Sequence, residues 1–258
     1  MRGAGRFLFS VLIACVLGTS VAHADGFRLR LESLGLGGTG VVVTDNGIGD
    51  ISSEAGVITY AGSINGFIVN ITTGVSKPMI GGVNNYAELD LNSVNVSGSG
   101  AGTLRITLED TGYALGPNGG MSAVGLVGGT MTAPAGSTAT FQSWVNPDNL
   151  VPELGSDGSP ANTLPLIGDV PAGSVALWSG TGATFGPGAF SSSATQGFTH
   201  DGPYSLFTQA TINFTGAGMV SFDSNLSTVP EPTSLLLLAS GLAGLALWGR
   251  KKKQSVQV

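Results

Sequence analysis

The chain has 258 residues, a formal net charge of −6, only 10% charged residues and 42 glycines. A hydrophobic content of 42% excludes a disordered chain, and few charges with much Gly suit a sheet protein rich in tight turns. All sixteen acids lie between Asp25 and Glu231, where only Arg28, Arg30, Lys77 and Arg105 are basic, so that stretch carries −12. An excess of this sign repels phosphate backbones and excludes nucleic acid as a partner.

The first 24 residues read as a signal peptide. Arg2 and Arg6 give a basic start, Phe7 to Leu17 an apolar segment, and Ala22-His23-Ala24 an A-x-A site for signal peptidase. A lipobox at Leu12-Ile13-Ala14-Cys15 would cut that apolar segment in its middle. Cys15 is the only cysteine and His200 the only histidine beyond residue 24. The body at 25–222 therefore has no disulfide, no thiol chemistry and no His-cluster metal site.

Alternation dominates this body. Phe27, Leu29 and Leu31 face opposite to Arg28, Arg30 and Glu32, and Leu104, Ile106 and Leu108 opposite to Arg105, Thr107 and Glu109. Tyr204, Leu206, Ala210, Ile212 and Phe214 share a third stripe. Such period-2 stripes predict half-buried strands. Further strands are expected at 40–44, 56–60, 66–73, 86–96, 122–127, 137–145, 173–178 and 217–223, separated by Gly-rich turns. Ten to twelve short strands predict an all-β, two-sheet sandwich, jelly-roll-like. Five prolines make 146–172 a long loop over one end, and 223–228 reads as a polar linker.

Three residue groups could carry chemistry. Tyr86, Glu88 and Asp90 share one strand face, with the carboxylates about 6.5–7 Å apart. That spacing suits a shallow carbohydrate face or an inverting glycosidase, while Arg105, across the Ser97–Gly102 turn, would make an ordinary ion pair with Asp90. Asp45, Asn46 and Asp50 offer oxygens for Ca²⁺, although an Asn-Gly turn accounts for them equally. His200-Asp201 lacks a Gly-x-Ser-x-Gly partner and reads as a turn. Trp144 at a sandwich rim would be either a core plug or a sugar platform. No cofactor motif and no further metal-ligand set is present.

The chain closes on Val229-Pro230-Glu231-Pro232, an apolar run from Leu235 to Gly249, and Arg250-Lys251-Lys252-Lys253, followed by a polar tail at 254–258. As a helix from Thr233 the run would be about 25 Å long, marginal for a roughly 30 Å hydrocarbon core. The four cations would act as a cytoplasmic membrane stop. In order and spacing, residues 229–253 resemble the PEP-CTERM sorting signal of Gram-negative bacteria. The resemblance implies recognition and cutting near Pro230, Glu231 and Pro232 by exosortase, in a bacterium that makes extracellular polysaccharide. The stretch from Phe198 to Leu206, with Gly216-Ala217-Gly218 and Ser221-Phe222-Asp223 after it, resembles what often precedes such tails, and it predicts a closing β-hairpin. Together these features lead to an exported, non-enzymatic structural or adhesive sandwich. It would be held briefly by one C-terminal transmembrane helix with its body in the periplasm, then sorted to the cell surface or an exopolysaccharide matrix. A polysaccharide-active hydrolase or carbohydrate-binding module on the same tail is the second reading.

Overall fold

The period-2 stripes become thirteen strands in the computed structural model, which describes residues 26–34, 40–77, 80, 87–113, 119–152, 170–230 and Gly241. They are β1 (Arg28–Leu34), β2 (Gly40–Thr44), β3 (Val57–Ile64), β4 (Phe67–Val75), β5 (Ala87–Gly98), β6 (Gly102–Tyr113), β7 (Gly119–Thr132), β8 (Thr138–Asn146), β9 (Val175–Ala176), β10 (Ala183–Phe185), β11 (Gly188–His200), β12 (Tyr204–Phe214) and β13 (Gly218–Pro230). Two antiparallel sheets result. Sheet A runs β10-β8-β12-β6-β1-β2 with β9 added to β8, and sheet B runs β11-β7-β13-β5-β4-β3.

Local chemistry sets the turns. Asn65 and Gly66, with φ of 43° and 84°, form the two-residue loop joining β3 to β4, and Ile64 pairs directly with Phe67. Both residues tolerate positive φ, and the resulting turn matches the right-handed twist of the strands it joins. From β5 onward the chain behaves differently. Each longer strand lies in the sheet opposite its predecessor, so β5, β7, β11 and β13 belong to sheet B while β6, β8 and β12 belong to sheet A. At the β5–β6 crossing the sheets come so close that a Cβ on Gly98 would lie 2.5 Å from the Phe214 ring, which leaves glycine as the residue that fits.

The apolar stripes of both sheets meet in one core. Leu29, Leu31, Leu104, Ile106 and Leu108 of sheet A face Val69, Ile71, Leu89, Leu91 and Leu226 of sheet B, all at most 1% exposed. Aromatic rings bridge the layers, with Phe141 of β8 edge-on to Phe222 of β13 at 4.9 Å and Phe67 of β4 stacked on Phe214 of β12 at 6.2 Å. A hydroxyl chain also crosses the interior, from Ser143 to Thr208 at 2.9 Å and from Thr208 to Ser224 at 3.2 Å. Each buried hydroxyl thereby has a partner, which removes the desolvation cost of an unpaired one.

The structure corrects three sequence expectations. Arg105 does not pair with Asp90: β5 and β6 lie in different sheets, and Arg105 binds Glu32 of β1 at 2.5 Å instead. The stretch 223–228 is not a linker but the second half of β13, paired with β5 on one side and β7 on the other. Its inward residues are Ser224, Leu226 and Thr228, the last bonded to Tyr204 Oη at 2.8 Å, and two polar residues out of three leave too little of a hydrophobic stripe to announce the strand. The closing hairpin expected from Phe198 to Asp223 does not form, because β12 lies in the sheet opposite both β11 and β13. Strand β11 itself was hidden by small polar alternation, Ser191, Ser193 and Thr195 facing outward.

The expected signal peptide with Ala22 and Ala24, Tyr86, Glu231, Pro232, the membrane helix and Arg250 to Lys253 lie outside the described residues. Of the loop 146–172, residues 147–152 and 170–172 are described, and 147–152 is held at the end of β6 and the start of β12. There Ser205 Oγ donates to the Leu150 carbonyl, and the Asn149 side chain accepts from Gly112 N at 2.6 Å. Among the described residues no helix is long and apolar enough to cross a membrane.

Candidate functional site

The two outward faces of the sandwich differ in kind. On sheet A, strand register aligns Gln142, Gln209, Thr107 and Arg30 in one row and Trp144, Phe207, Glu109 and Arg28 in the next. This face is closed: Arg30, Arg105, Thr107, Phe207 and Glu109 are at most 1% exposed, and Trp144 lies buried on Phe207 at 5.1 Å. All four basic residues of the body are spent in ion pairs. Arg28 and Arg30 meet Glu109, Arg105 meets Glu32, and Lys77 meets Asp110 at 2.8 Å. The Trp144 of the sugar-platform reading is therefore a plug over the sheet.

The outer face of sheet B is open. Asp90 of β5 stands opposite Asn225 of β13, which stands opposite Leu126 of β7 and then Ser193 of β11. The adjoining row is Glu88, Ser227, Val124 and Thr195, and nearer the far end comes Asn70, Asn95, Ser221 and Thr130. Asn225 Nδ2 donates to Glu88 Oε1. A β-bulge shapes the middle of the face: Ser93 takes a φ of 54°, its amide donates to Asp223 Oδ1 at 2.6 Å, and the β5–β13 register shifts at that point. Bulges of this kind re-aim side chains locally, here gathering Asn92, Ser93, Asn95 and Asp223 on the exposed side. A shallow depression of about 70 Å³ between Asn95, Ser97, Thr130, Thr132, Met219 and Ser221 continues the face.

Burial holds the Asp90 carboxyl above the usual carboxylate range. Hydrogen bonds from Asn92 and Asn225 oppose that shift, and the charges of Glu88 and Asp223 add to it. Desolvation likewise outweighs the guanidiniums at Glu109 and the Lys77 ammonium at Asp110, and raises both. All three acids thus bind protons more tightly in the fold than in the unfolded chain. Their stabilising contribution is complete below the ordinary carboxylate values and is lost as pH rises through the folded ones. The unfolding midpoint temperature is expected to fall as pH rises above the ordinary carboxylate range, with a smaller drop in Asp90→Asn. A midpoint that rises instead would contradict the assignment.

The other sequence candidates resolve into local structure. Asp50 accepts from the amides of Asn46, Ser52 and Thr59 at 2.9–3.0 Å, and Asp45 accepts from Gly56 N at 2.9 Å. The loop expected to offer oxygens to Ca²⁺ is in this structure held by its own backbone N–H groups. His200 is buried, its Nδ1 2.8 Å from the Gly202 carbonyl and its ring 4.9 Å from Tyr204, while Asp201 points to solvent. Beside it a concavity of about 470 Å³ lies between Asp148, Asn149, His200 and Asp201. Among the described residues no group of three or more His, Cys, Asp or Glu is arranged to hold a metal ion.

One segment, at the C-terminal end of β13 and beyond, is matched by a known family. Residues 228–251 match the family described as the PEP-CTERM protein-sorting motif. This segment is such a motif, which implies an exported chain, transiently anchored in a membrane and processed by exosortase. No curated protein matches the chain. Among solved structures, the chain is similar to the enzymatically active domain of tailspike protein 4 of bacteriophage CBA120, at 11% identity and a TM-score of 0.26, over 62% of this chain but only 19% of that one. It is also similar to the carbohydrate-binding module TmCBM61 in complex with β-1,4-galactotriose (8% identity, TM-score 0.24, covering 66% of this chain and 92% of that one). A third similarity is to carbohydrate-binding modules of the β-sandwich superfamily, at 12% identity and a TM-score of 0.24, over 76% and 70% of the two chains.

Proposed function

We propose that the body is a non-enzymatic structural or adhesive module of the bacterial surface or extracellular matrix, delivered by its sorting motif and touching polysaccharide through the outer face of sheet B. The observation that carries this reading is the makeup of that face. Amides, hydroxyls and carboxylates from β5, β13, β7 and β11 lie in register on an open surface, while the body's four cations are held in ion pairs away from it. Asn225, Asn95, Ser221 and Thr130 would exchange hydrogen bonds with sugar hydroxyls, and Glu88 and Asp90 would accept from them. In this reading the two sheets form a jelly-roll-like sandwich. Signal peptidase removes residues 1–24, the apolar run from Leu235 spans the membrane, and exosortase cuts near Pro230, Glu231 and Pro232.

A second reading, a polysaccharide hydrolase, draws on one observation: Asp90 is held protonated more readily than an ordinary Asp and sits one pleat from Glu88. That is the asymmetry an acid/base pair uses. One experiment separates the two. The exported protein is incubated with the producing cell's own polymer, and both retention and release of reducing sugar are measured. Retention without release is expected, weakened about five- to tenfold by Asn225→Ala, as for a net hydrogen bond of about 1 kcal/mol. Sugar release abolished by Glu88→Gln would replace the first reading with the second, and absence of retention would sink both.

A further inference from the structure

The chain leaves the sandwich without a spacer. Val229 and Pro230 of β13 still pair with Ser122 and Met121 of β7, and only residues 231–234 separate Pro230 from the apolar run that begins at Leu235. From Pro230 to Leu235 a fully extended chain reaches about 17 Å. The headgroup layer on each side of a bilayer is about 5–8 Å thick. While the sorting motif anchors the chain, the end of the sandwich where β13 exits is therefore held within about 10 Å of the headgroup surface.

That end carries exposed apolar side chains among the described residues. Ile48 and Ile51, 97% and 65% exposed, sit in the loop between β2 and β3. This loop is fixed at the exit end by Asp45 N on the Phe27 carbonyl and by Gly56 N on Asp45. Leu150, 49% exposed, follows β8 at the same end, where the start of β12 holds its carbonyl, and Val229, 39% exposed, is next to the last residue of β13. The remaining large exposed apolar residues among those described, Ile68, Leu126 and Met219, lie on the outer face of sheet B. Strand order places β3 three positions from β13, about 14 Å across the sheet, so Ile51 sits beside the exit and not behind it.

We infer that this end of the sandwich docks on the lipid surface during the anchored stage, with Ile48, Ile51 and Leu150 entering the boundary between headgroups and acyl chains. The depth suits apolar side chains presented without a strand edge. The same rim bears Asp45, Asp50, Glu54, Asp148 and Asp201, and the two cations at this end, Arg28 and Lys77, are paired with Glu109 and Asp110, so the surface it suits is zwitterionic.

The near-absence of cysteine makes the test clean. In a Cys15→Ser background, full-length Ile48→Cys, Leu150→Cys and Ala101→Cys are each labelled with a polarity-sensitive dye and reconstituted into protein-free phosphatidylcholine vesicles. Ala101 lies exposed in the β5–β6 crossing at the opposite end. Nitroxide lipids are expected to quench the dye at 48 and 150 several-fold more than at 101, and the difference should shrink when phosphatidylglycerol replaces half of the lipid. Equal quenching at the three positions would overturn the inference. So would shielding of position 48 only in native membranes, since that would assign the rim to a protein partner.

Discussion

Replacing Glu109 by alanine is expected to cost about 3–5 kcal/mol, because it leaves a buried guanidinium without its counter-charge. Glu109 is fully buried on β6 between Arg28 and Arg30 of β1, and Arg30 is 1% exposed. The cost comes from the orphaned charge and not from any large net value of the pair. Arg30 Nε and Nη1 already make no hydrogen bond, and burial raises the proton affinity of Glu109 despite two neighbouring cations. The pair thus sits close to the point where desolvation cancels attraction. Arg30→Met combined with Glu109→Leu should consequently be far less damaging than Glu109→Ala alone. Urea unfolding of the three proteins provides the comparison, and a double variant as unstable as the single one would refute this account.

Phe141→Ala is expected to lose about 3–5 kcal/mol by opening a cavity between the sheets. Phe141 belongs to sheet A and lies against Phe222 of sheet B at 4.9 Å, against Phe190 of sheet B at 5.5 Å and against Phe185 at 6.1 Å. Phe185 and Phe190 in turn stack at 4.8 Å, so one ring holds together three others across both layers and the sheet edge they share. Leu126→Ala is the control: at 48% exposure its loss should stay within about 0.5 kcal/mol. Comparable destabilisation by the two substitutions would mean that the layers are not joined where the rings place them.

Sequence periodicity located most strands because alternation follows directly from one buried and one outward face. Strands β6 and β12 were legible for that reason. Where the inward residues are polar, the signal vanishes. Ser224 and Thr228 of β13 point inward yet bond to Thr208 and Tyr204, which made half of a central strand read as a linker. Pairing was less legible than strand position. A Gly-Ser turn at 97–102 looks the same whether the chain folds back within a sheet or crosses to the other, and the difference decided that Arg105 binds Glu32 and not Asp90. Glu88 and Asp90 were correctly placed on one polar face, but Asn225 and Asp223, which complete it, come from a strand at least 130 residues later. No local pattern announces that juxtaposition. The sorting motif was legible because its information is carried by consecutive residues.

Strand β13 occupies an interior position in its sheet, flanked by β7 and β5 along nearly its whole length, and its last paired residue, Pro230, lies within the sorting motif. Any tension reaching the body from that terminus, by current in the medium or drag from attached polymer, is directed along the strand axis. Ladder bonds on both flanks then resist together in shear, unlike an edge strand that would unzip one bond at a time. The attachment point is thus built as a mechanical grip.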